Sequence, residues 1–561
     1  MSNTAPDADA ADPSGRQAVG RQASGRQEGP GPGSPWQPFR SPIFALVWTA
    51  ALVSNTGTWL QQVGAQWLMT SLAPTPLYVS LVQSATLLPV FCFALAAGAL
   101  ADIIDRRRLL LVVQSLMAVV ALVLGVLVWL GAIGPWSLLA FSFAIGTGAA
   151  FSGPAWQAVV PHLVPRSQLH AAIALNSAGF NMARALGPAI AGVLIGGIGI
   201  AAPFFCNAIS FLAVIGAFLW WRRTTPIASH LPSERLTAAM RAGLRYARES
   251  PALRATLIRS VAFFVFGVAY WALLPLVVRV GLGAGPEAFG LVLAAVGVGA
   301  VAGAVLLGWL RQFLDADRLV ALGTIGTVLA LVAFAFVSSL PAAAAAGVLA
   351  GTAWILVVPS LNVSAQLALP EWMRGRGLAL FQMSMFGGMG GGSAVWGRLA
   401  EAVGTAETLL IAAVGAVIAM LATWRWSLKP GADADLNPGA PWPEPQVAAP
   451  VCHDRGPVLV TIEYRIDSAE RRAFLAAMQA LRGSRRRGGA YAWGVFEDAA
   501  APDRYLECFV VESWLDHLRQ HDRVTASDRA AQDAVLRFHR GQARPPVVHW
   551  LGLPGDAPPP G

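Results

Sequence analysis

Twelve long apolar stretches set what this chain can fold into. They run at about 43–70, 77–101, 109–131, 135–158, 171–196, 202–221, 256–279, 287–310, 319–338, 342–366, 376–400 and 406–426. Crossing roughly 30 Å of hydrocarbon takes about 20 helical residues, which each stretch supplies. The strands of a membrane barrel would instead alternate apolar and polar side chains in segments of about ten. These stretches do not alternate, so they read as helices. Only 13% of the 561 residues are charged and 55% are hydrophobic, whereas a soluble domain carries about 25% charge. The expectation is an all-α membrane protein of twelve transmembrane helices.

Arginine orients it, since Lys429 is the single lysine. Short basic loops stay on the cytoplasmic side. Arg106, Arg107 and Arg108 follow the second stretch, and Arg166 follows the fourth. Seven arginines between 222 and 254 follow the sixth, Arg311 and Arg318 the eighth, Arg374 and Arg376 the tenth. The alternate loops (131–135, 197–201, 281–286, 339–341 and 403–405) carry none, with Arg279 at one edge. This places both termini in the cytoplasm of a multi-pass protein of the cytoplasmic (inner) membrane.

The chain divides into a polar tail at 1–40, a six-helix half at 41–222 and a cytoplasmic loop at 223–255. A second half at 256–428, a Pro/Ala linker at 429–456 and a charged segment at 457–551 follow. The first tail, with its "GRQAVGRQASGRQ" repeat and "GPGPGSPWQP", reads as disordered and not as a signal peptide. Gly98, Leu100, Asp105, Arg108 and Leu109 match Gly308, Leu310, Asp315, Arg318 and Leu319 at constant offset. At a slightly different one, Pro165, Leu175, Gly187 and Gly192 match Pro370, Leu380, Gly392 and Gly397. Such a 6+6 duplication puts a substrate site near the midplane between halves. The cysteines Cys92, Cys206, Cys452 and Cys508 lack metal-ligand spacing and read as reduced thiols.

"GALADIIDRRRLLL" (98–111) resembles the loop motif of the major facilitator superfamily between its second and third helices. Gly98, Leu100, Ala101, Asp102, Arg106, Arg107 and Leu109 fit it; Ile103 replaces a basic residue and Asp105 a glycine. Gly98 should allow a close helix approach, and Asp102 should accept bonds from a neighbouring helix end or an arginine. The resemblance implies that Gly98, Asp102, Arg106, Arg107, Asp315 and Arg318 form a latch between two conformations; the arginines read equally as anchors. "FSGPAWQAVVPHLVPRSQLHAAIALNSAGFNMARALGPAIAG" (151–192), "SNTGTWLQQVGAQWL" and "RGRGLALFQ" are similar to the branch holding the enterobactin exporter and related secretion effectors.

Asn55, Thr58, Gln62 and Gln66 lie on one face of the first helix. Polar side chains avoid lipid, so the face meets a cavity or a neighbouring helix; in the superfamily the first helix lines the cavity. Ser177, Asn181 and Arg184 form a similar stripe in the fifth, where Arg184 serves either an anionic substrate group or a charge relay, or is bonded structurally to Asn181 and carbonyls. Gly187 and Pro188 read as a packing or kink site. Trp59, Trp67, Trp156, Phe264, Tyr270, Trp271 and Trp354 are further candidates for the cavity wall. No Asp or Glu lies well inside a stretch, which leaves edge acids such as Asp102, Asp315, Glu287, Glu401 and Glu407 for proton coupling. No phosphate-binding loop is present, against an intrinsic ATPase.

Beyond the linker, strand and helix patterns follow the order βαββαβ, which is ferredoxin-like. The segment is similar to the small dimeric barrels of antibiotic-biosynthesis monooxygenases. His517 and His521 stand at i, i+4 on one expected helix, but no third ligand follows from spacing and a solvated helix accounts for both, so no metal or catalytic residue is assigned. The reading is a non-enzymatic secondary transporter that exports a siderophore or drug-like compound by alternating access, with proton coupling and without a cofactor. Its partners are a small-molecule substrate, the lipid bilayer and a second copy through the last domain, with no nucleic acid. The alternatives are a membrane-tethered sensor or monooxygenase, and an importer.

Overall fold

The computed structural model describes residues 36–160, 163–221, 236–428 and 447–553 (except 542), with isolated positions between 435 and 445. The side chains of 99, 101–103, 158, 166, 170 and 236–239 lie outside the described residues. The tail at 1–35 and the stretch 222–235 also lie outside them, as does most of 429–446.

The first half is α1 (Pro42–Leu72), α2 (Pro76–Ile103), α3 (Arg106–Trp129), α4 (Pro135–Val159), α5 (Leu169–Gly197) and α6 (Ala202–Trp220). After α7 (Leu236–Glu249) come α8 (Pro251–Leu276), α9 (Pro286–Leu310), α10 (Ala316–Ala335), α11 (Leu340–Leu367), α12 (Arg374–Val403) and α13 (Thr405–Thr423). The helix starts are written locally. Proline leads α1, α2, α4, α8 and α9, where its missing N–H has no intrahelical partner to lose. Asp105 caps α3 and Asp315 caps α10, each accepting from the backbone N–H three residues on, at 2.8 and 3.0 Å. The duplicated aspartates thus do the same work in both halves.

Among the described residues, eleven helices are long and apolar enough to span a membrane. The remaining expected span, 376–400, lies in α12, a helix of 30 residues, but its glycines dilute its apolarity. They let backbones approach instead. A β-carbon on Gly390 would stand 3.0 Å from Leu88 Cγ of α2, and the Gly390 carbonyl accepts from Ser84 Oγ at 2.7 Å. In the stretch expected to be loop, α7 forms against the start of α12, with Tyr246 buried and donating to the Ala368 carbonyl at 3.1 Å. Burial pushes the Tyr246 phenol up to about 12. The next helix starts at Pro251, before the expected 256, because Ser250 caps it.

The C-terminal domain is β1 (Val458–Arg465), α14 (Arg471–Gly488), β2 (Ala492–Asp498), β3 (Ala501–Val511), α15 (Trp514–Asp522), α16 (Ala526–Leu536) and β4 (Val547–Leu551). The sheet order β2-β3-β1-β4, all antiparallel, is ferredoxin-like. The helix expected near 514–540 is two helices, because Thr525 and Asp528 form a capping box that starts a new one. Val458, Val460, Ile462 and Tyr464 face the helices and pack on Phe474, Met478 and Leu481. Arg485 and Glu507 form a buried pair at 3.0 Å, and Tyr464, Trp493 and Gln532 bond the remaining polar atoms. The domain rests on α7 through Arg486 and Glu249 at 3.2 Å, and through Glu512 near Arg241 and Arg245 at 3.6 and 3.7 Å.

Candidate functional site

The two halves meet at the end of the bundle away from the arginine-rich loops. There Arg279, following α8, donates to Thr70 and Ser71 of α1 at 2.6 Å each, and its guanidinium lies 5.4 Å from the Trp67 ring. Nearby, α5 crosses α9 at backbone contact: a β-carbon on Gly290 would stand 2.6 Å from the Pro188 carbonyl oxygen and 3.0 Å from Gly192 Cα. Gly187 backs onto Trp59 of α1 in the same way, at 2.6 Å from its Cβ. Gly187 and Pro188 are therefore packing positions, in a helix that runs on unbroken.

Toward the basic end the halves leave polar and apolar side chains open. Ser177, Phe180 and Asn181 of α5 and Phe91 and Cys92 of α2 are exposed. A β-carbon on Gly98 or on its repeat partner Gly308 would meet nothing within 4 Å. Among the described residues no neighbour makes the close helix approach expected at Gly98. Arg107 donates to the Phe218 carbonyl at 2.7 Å and the Leu219 carbonyl at 3.4 Å, tying the start of α3 to the end of α6 within one half. Arg318 contributes its backbone N–H to the Asp315 cap. The Asp102 side chain lies outside the described residues. Arg106 sits at the first position of α3.

Between these ends, near the middle of α1, α5 and α11 and toward the C-terminal end of α8, an aromatic cluster adjoins one guanidinium. Trp271 of α8 stands 6.4 Å from Trp59 of α1, 6.1 Å from Trp354 of α11 and 5.5 Å from Tyr270, measured between ring centroids. Phe264 packs on Trp354 at 5.6 Å. Over Trp271, at 5.6 Å, lies Arg184 of α5. Asn181 does not reach it; its amide donates to the Ser177 carbonyl at 2.9 Å. Among the described residues, Arg184 Nε, Tyr270 Oη and Trp271 Nε1 are buried and make no hydrogen bond of good geometry, Tyr270 and Trp271 having only each other within reach. Donors without a well-placed acceptor are uncommon inside folded proteins, where buried polar groups are paired.

The stripe on α1 divides. Gln66 is buried, and Gln66 and Gln62 both donate to Gln83 of α2, at 2.8 and 3.2 Å, which is helix-to-helix bonding. Thr58 bonds back to the Ser54 carbonyl at 2.9 Å, and Asn55 is half-buried. Of the aromatic candidates, Trp67 stacks on Phe289 near the closed end and Trp156 meets Phe218 edge-on within the first half, away from Arg184. Glu401 pairs with Arg398 at 2.5 Å. One acid escaped the reading: Asp317, in the first turn of α10, pairs with buried Arg259 of α8 and accepts from Ser427 Oγ at 2.6 Å and Leu428 N at 2.9 Å. An arginine at 259 inside an apolar stretch is the signal that could have found it.

In the C-terminal domain, α15 is not a solvated helix, since His517, Arg519 and Gln520 are buried. Next to His517 and His521 the fold brings His549 of β4, far off in sequence, and the ligand atoms of the three lie within 4.8 Å of one another. Burial, then the neighbouring His521, pulls His517 down to about 3 and His549 in the same direction.

A family model described as transmembrane secretion effector matches residues 33–554. The staphyloferrin A transporter of Staphylococcus aureus is 26% identical over 257 residues, 45% of this chain; the chain spans 63% of that relative's length. The multidrug efflux pump Tap of Mycolicibacterium fortuitum is 26% identical over 389 residues, 66% of this chain and 92% of the pump. Among solved structures, a bacterial homologue of the human lysosomal transporter Spinster, inward-facing and unoccupied, superposes with a TM-score of 0.55 at 15% identity, covering 69% of this chain and 97% of that one. The nucleoside transporter NupG, as a point mutant, gives a TM-score of 0.57 at 12% identity over 68% of this chain and 99% of that one.

Proposed function

The chain belongs to the transmembrane secretion effector family and is a membrane transporter of the major facilitator type, and on that premise we propose that it exports an amphipathic organic anion from the cytoplasm. The observation that carries this reading is the cluster around Arg184. A guanidinium on an aromatic face, beside the unpaired donors of Tyr270 and Trp271, offers charge-assisted bonds to a carboxylate, catecholate or other anionic group. The rings of Trp59, Trp271 and Trp354 take the apolar part of the same molecule. Asn55 and Thr58 of α1 and Asn181 of α5 line the way in from the basic end, while Gln62 and Gln66 hold α1 to α2.

With the arginine-rich loops in the cytoplasm, this conformation is closed outward and open inward. Substrate enters from the cytoplasm, the halves rock about the Gly192–Gly290 crossing, and Asp102, Arg106, Arg107, Asp315 and Arg318 latch the basic end when it closes. A proton returning through an edge carboxylate drives the cycle; Asp102 is the first to test. The names of the relatives, a siderophore transporter and a multidrug efflux pump, support this substrate range. The rival reading, a membrane-tethered sensor or monooxygenase, leaves the three unpaired donors inside the bundle without a role.

Ligand-dependent thermal stabilisation of the purified protein tests the site. A panel of anionic, neutral and cationic amphipaths should stabilise only with anionic members. Arg184→Gln should weaken them about 10- to 100-fold, the worth of a charged hydrogen bond, and Arg184→Lys less. Equal binding by wild type and Arg184→Gln would remove Arg184 from the site.

A further inference from the structure

We propose that the C-terminal domain binds one divalent transition-metal ion through the imidazoles of His517, His521 and His549. On α15 the spacing i, i+4 turns the first two rings to one side of the helix. On β4, His549 pairs with Val460 of β1, whose side chain faces the helical layer, so the sheet delivers the third ring to the same place. The ring centroids of His517 stand 4.7 Å from those of both His521 and His549. Rings at this separation can share one ion, with metal–nitrogen bonds of about 2.0–2.1 Å, after small side-chain rotations.

The second observation is the state of the nitrogens. His517 is 1% exposed, yet among the described residues neither of its ring nitrogens makes a hydrogen bond of good geometry, with only Gln520 at hand, nor does Nε2 of His549. A histidine kept only for packing would have its buried nitrogens paired. Here ring nitrogens from three histidines converge, and an ion is the partner that satisfies several at once. Gln520 Oε1, on the same helix and also unpaired, is a hydrogen-bond acceptor for the N–H that a ligating imidazole keeps.

The donor set selects the class of ion. Three imidazoles and no carboxylate suit zinc, cobalt, nickel or copper, and disfavour calcium and magnesium, which want oxygen. Three protein ligands also leave a fourth position for water or an external ligand. The nearby Arg485 charge is matched by Glu507, buried with it at 3.0 Å, so the pocket is not strongly cationic. Trp514 packs 5.5 Å from His517, and Trp442, from the segment that joins the domain to the bundle, packs 5.7 Å from His521. These indoles shield the site from water.

The test is direct binding, which needs no transport and so stands or falls apart from the export reading. The full chain, purified in detergent with a tag free of histidine and stripped with a chelator, is titrated with Co2+ as optical probe and then with Zn2+. One Co2+ per chain with visible d–d absorption, displaced by Zn2+, is the expected result. His517→Ala and His549→Ala should each weaken binding by about 100-fold or more, at least the effect of losing a supporting partner, and His453→Ala should leave it unchanged. His521→Cys should keep the ion and add a thiolate-to-cobalt charge-transfer band, which arises only if the side chain at 521 touches the metal and which a misfolded variant cannot mimic. No saturable binding by the wild-type chain, or binding that survives replacing all three histidines, would overturn the proposal.

Discussion

A guanidinium near the middle of a membrane span costs roughly 2.5–3.5 kcal/mol on insertion scales, and Arg184 is not offset by a carboxylate or by Asn181. What it has is the Trp271 face and the company of two other unpaired donors. Arg259 shows the opposite solution. It is 3% exposed and paired with Asp317, and breaking such a pair leaves a buried charge at about 3–5 kcal/mol, whereas replacing both partners by apolar residues is close to neutral. Thermal unfolding in detergent should therefore show Asp317→Ala strongly destabilised, and the double change Arg259→Met with Asp317→Leu restored. Of this chemistry the sequence made Arg184 legible, as a lone charge in an apolar stretch on a polar stripe. It did not make legible that Asn181 bonds its own helix, that Gln83 answers Gln62 and Gln66, or that Asp317 reaches Arg259. Those depend on which helices become neighbours, and single-chain periodicity reports a face without naming what it meets. His549 was hidden for the same reason, since strand pairing, not spacing, brings it to α15.

Among elements, the α5–α9 crossing is the hinge candidate. Gly290 faces backbone atoms that cannot step aside, so Gly290→Val forces the helices apart at about 1–3 kcal/mol. Cysteine accessibility at Thr70→Cys, one of the two positions that meet Arg279, should rise in Gly290→Val relative to Gly290 itself; unchanged accessibility would mean that this end closes without the crossing. A second joint holds the C-terminal domain to α7 through Arg486–Glu249 and the Arg241/Arg245–Glu512 contacts. Exposed pairs are worth about 0–1 kcal/mol each, so single removals should do little. Reversing both acids, Glu249→Arg with Glu512→Arg, adds repulsion and should speed proteolysis between 429 and 456 several-fold. All twelve spans were legible as apolar stretches, although the one in α12 is the least apolar, its glycines having been spent on contact with α2. The helix α7 was missed because it is only 14 residues long and its arginines read as a basic loop.

For the whole molecule, the two halves and the appended domain make separable claims. A chain ending at 429 should retain at least part of its flux if the bundle is the transporter, and none if the C-terminal domain is the active part. The duplicated aspartates at 105 and 315 carried the repeat in sequence and cap equivalent helices in the fold, so the architecture was readable early. Conformation was not: which end is closed follows from Arg279 meeting Thr70 and Ser71, a contact between residues about 200 apart in the chain. The most direct measurement is collapse of an imposed pH gradient in inside-out vesicles challenged with siderophores and other organic anions. The account predicts a compound-dependent collapse in the wild type that Asp102→Asn abolishes and that Arg184→Gln moves to about 10- to 100-fold higher compound concentration. An undiminished response in Arg184→Gln, or silence across a panel that a control antiporter answers, would contradict it.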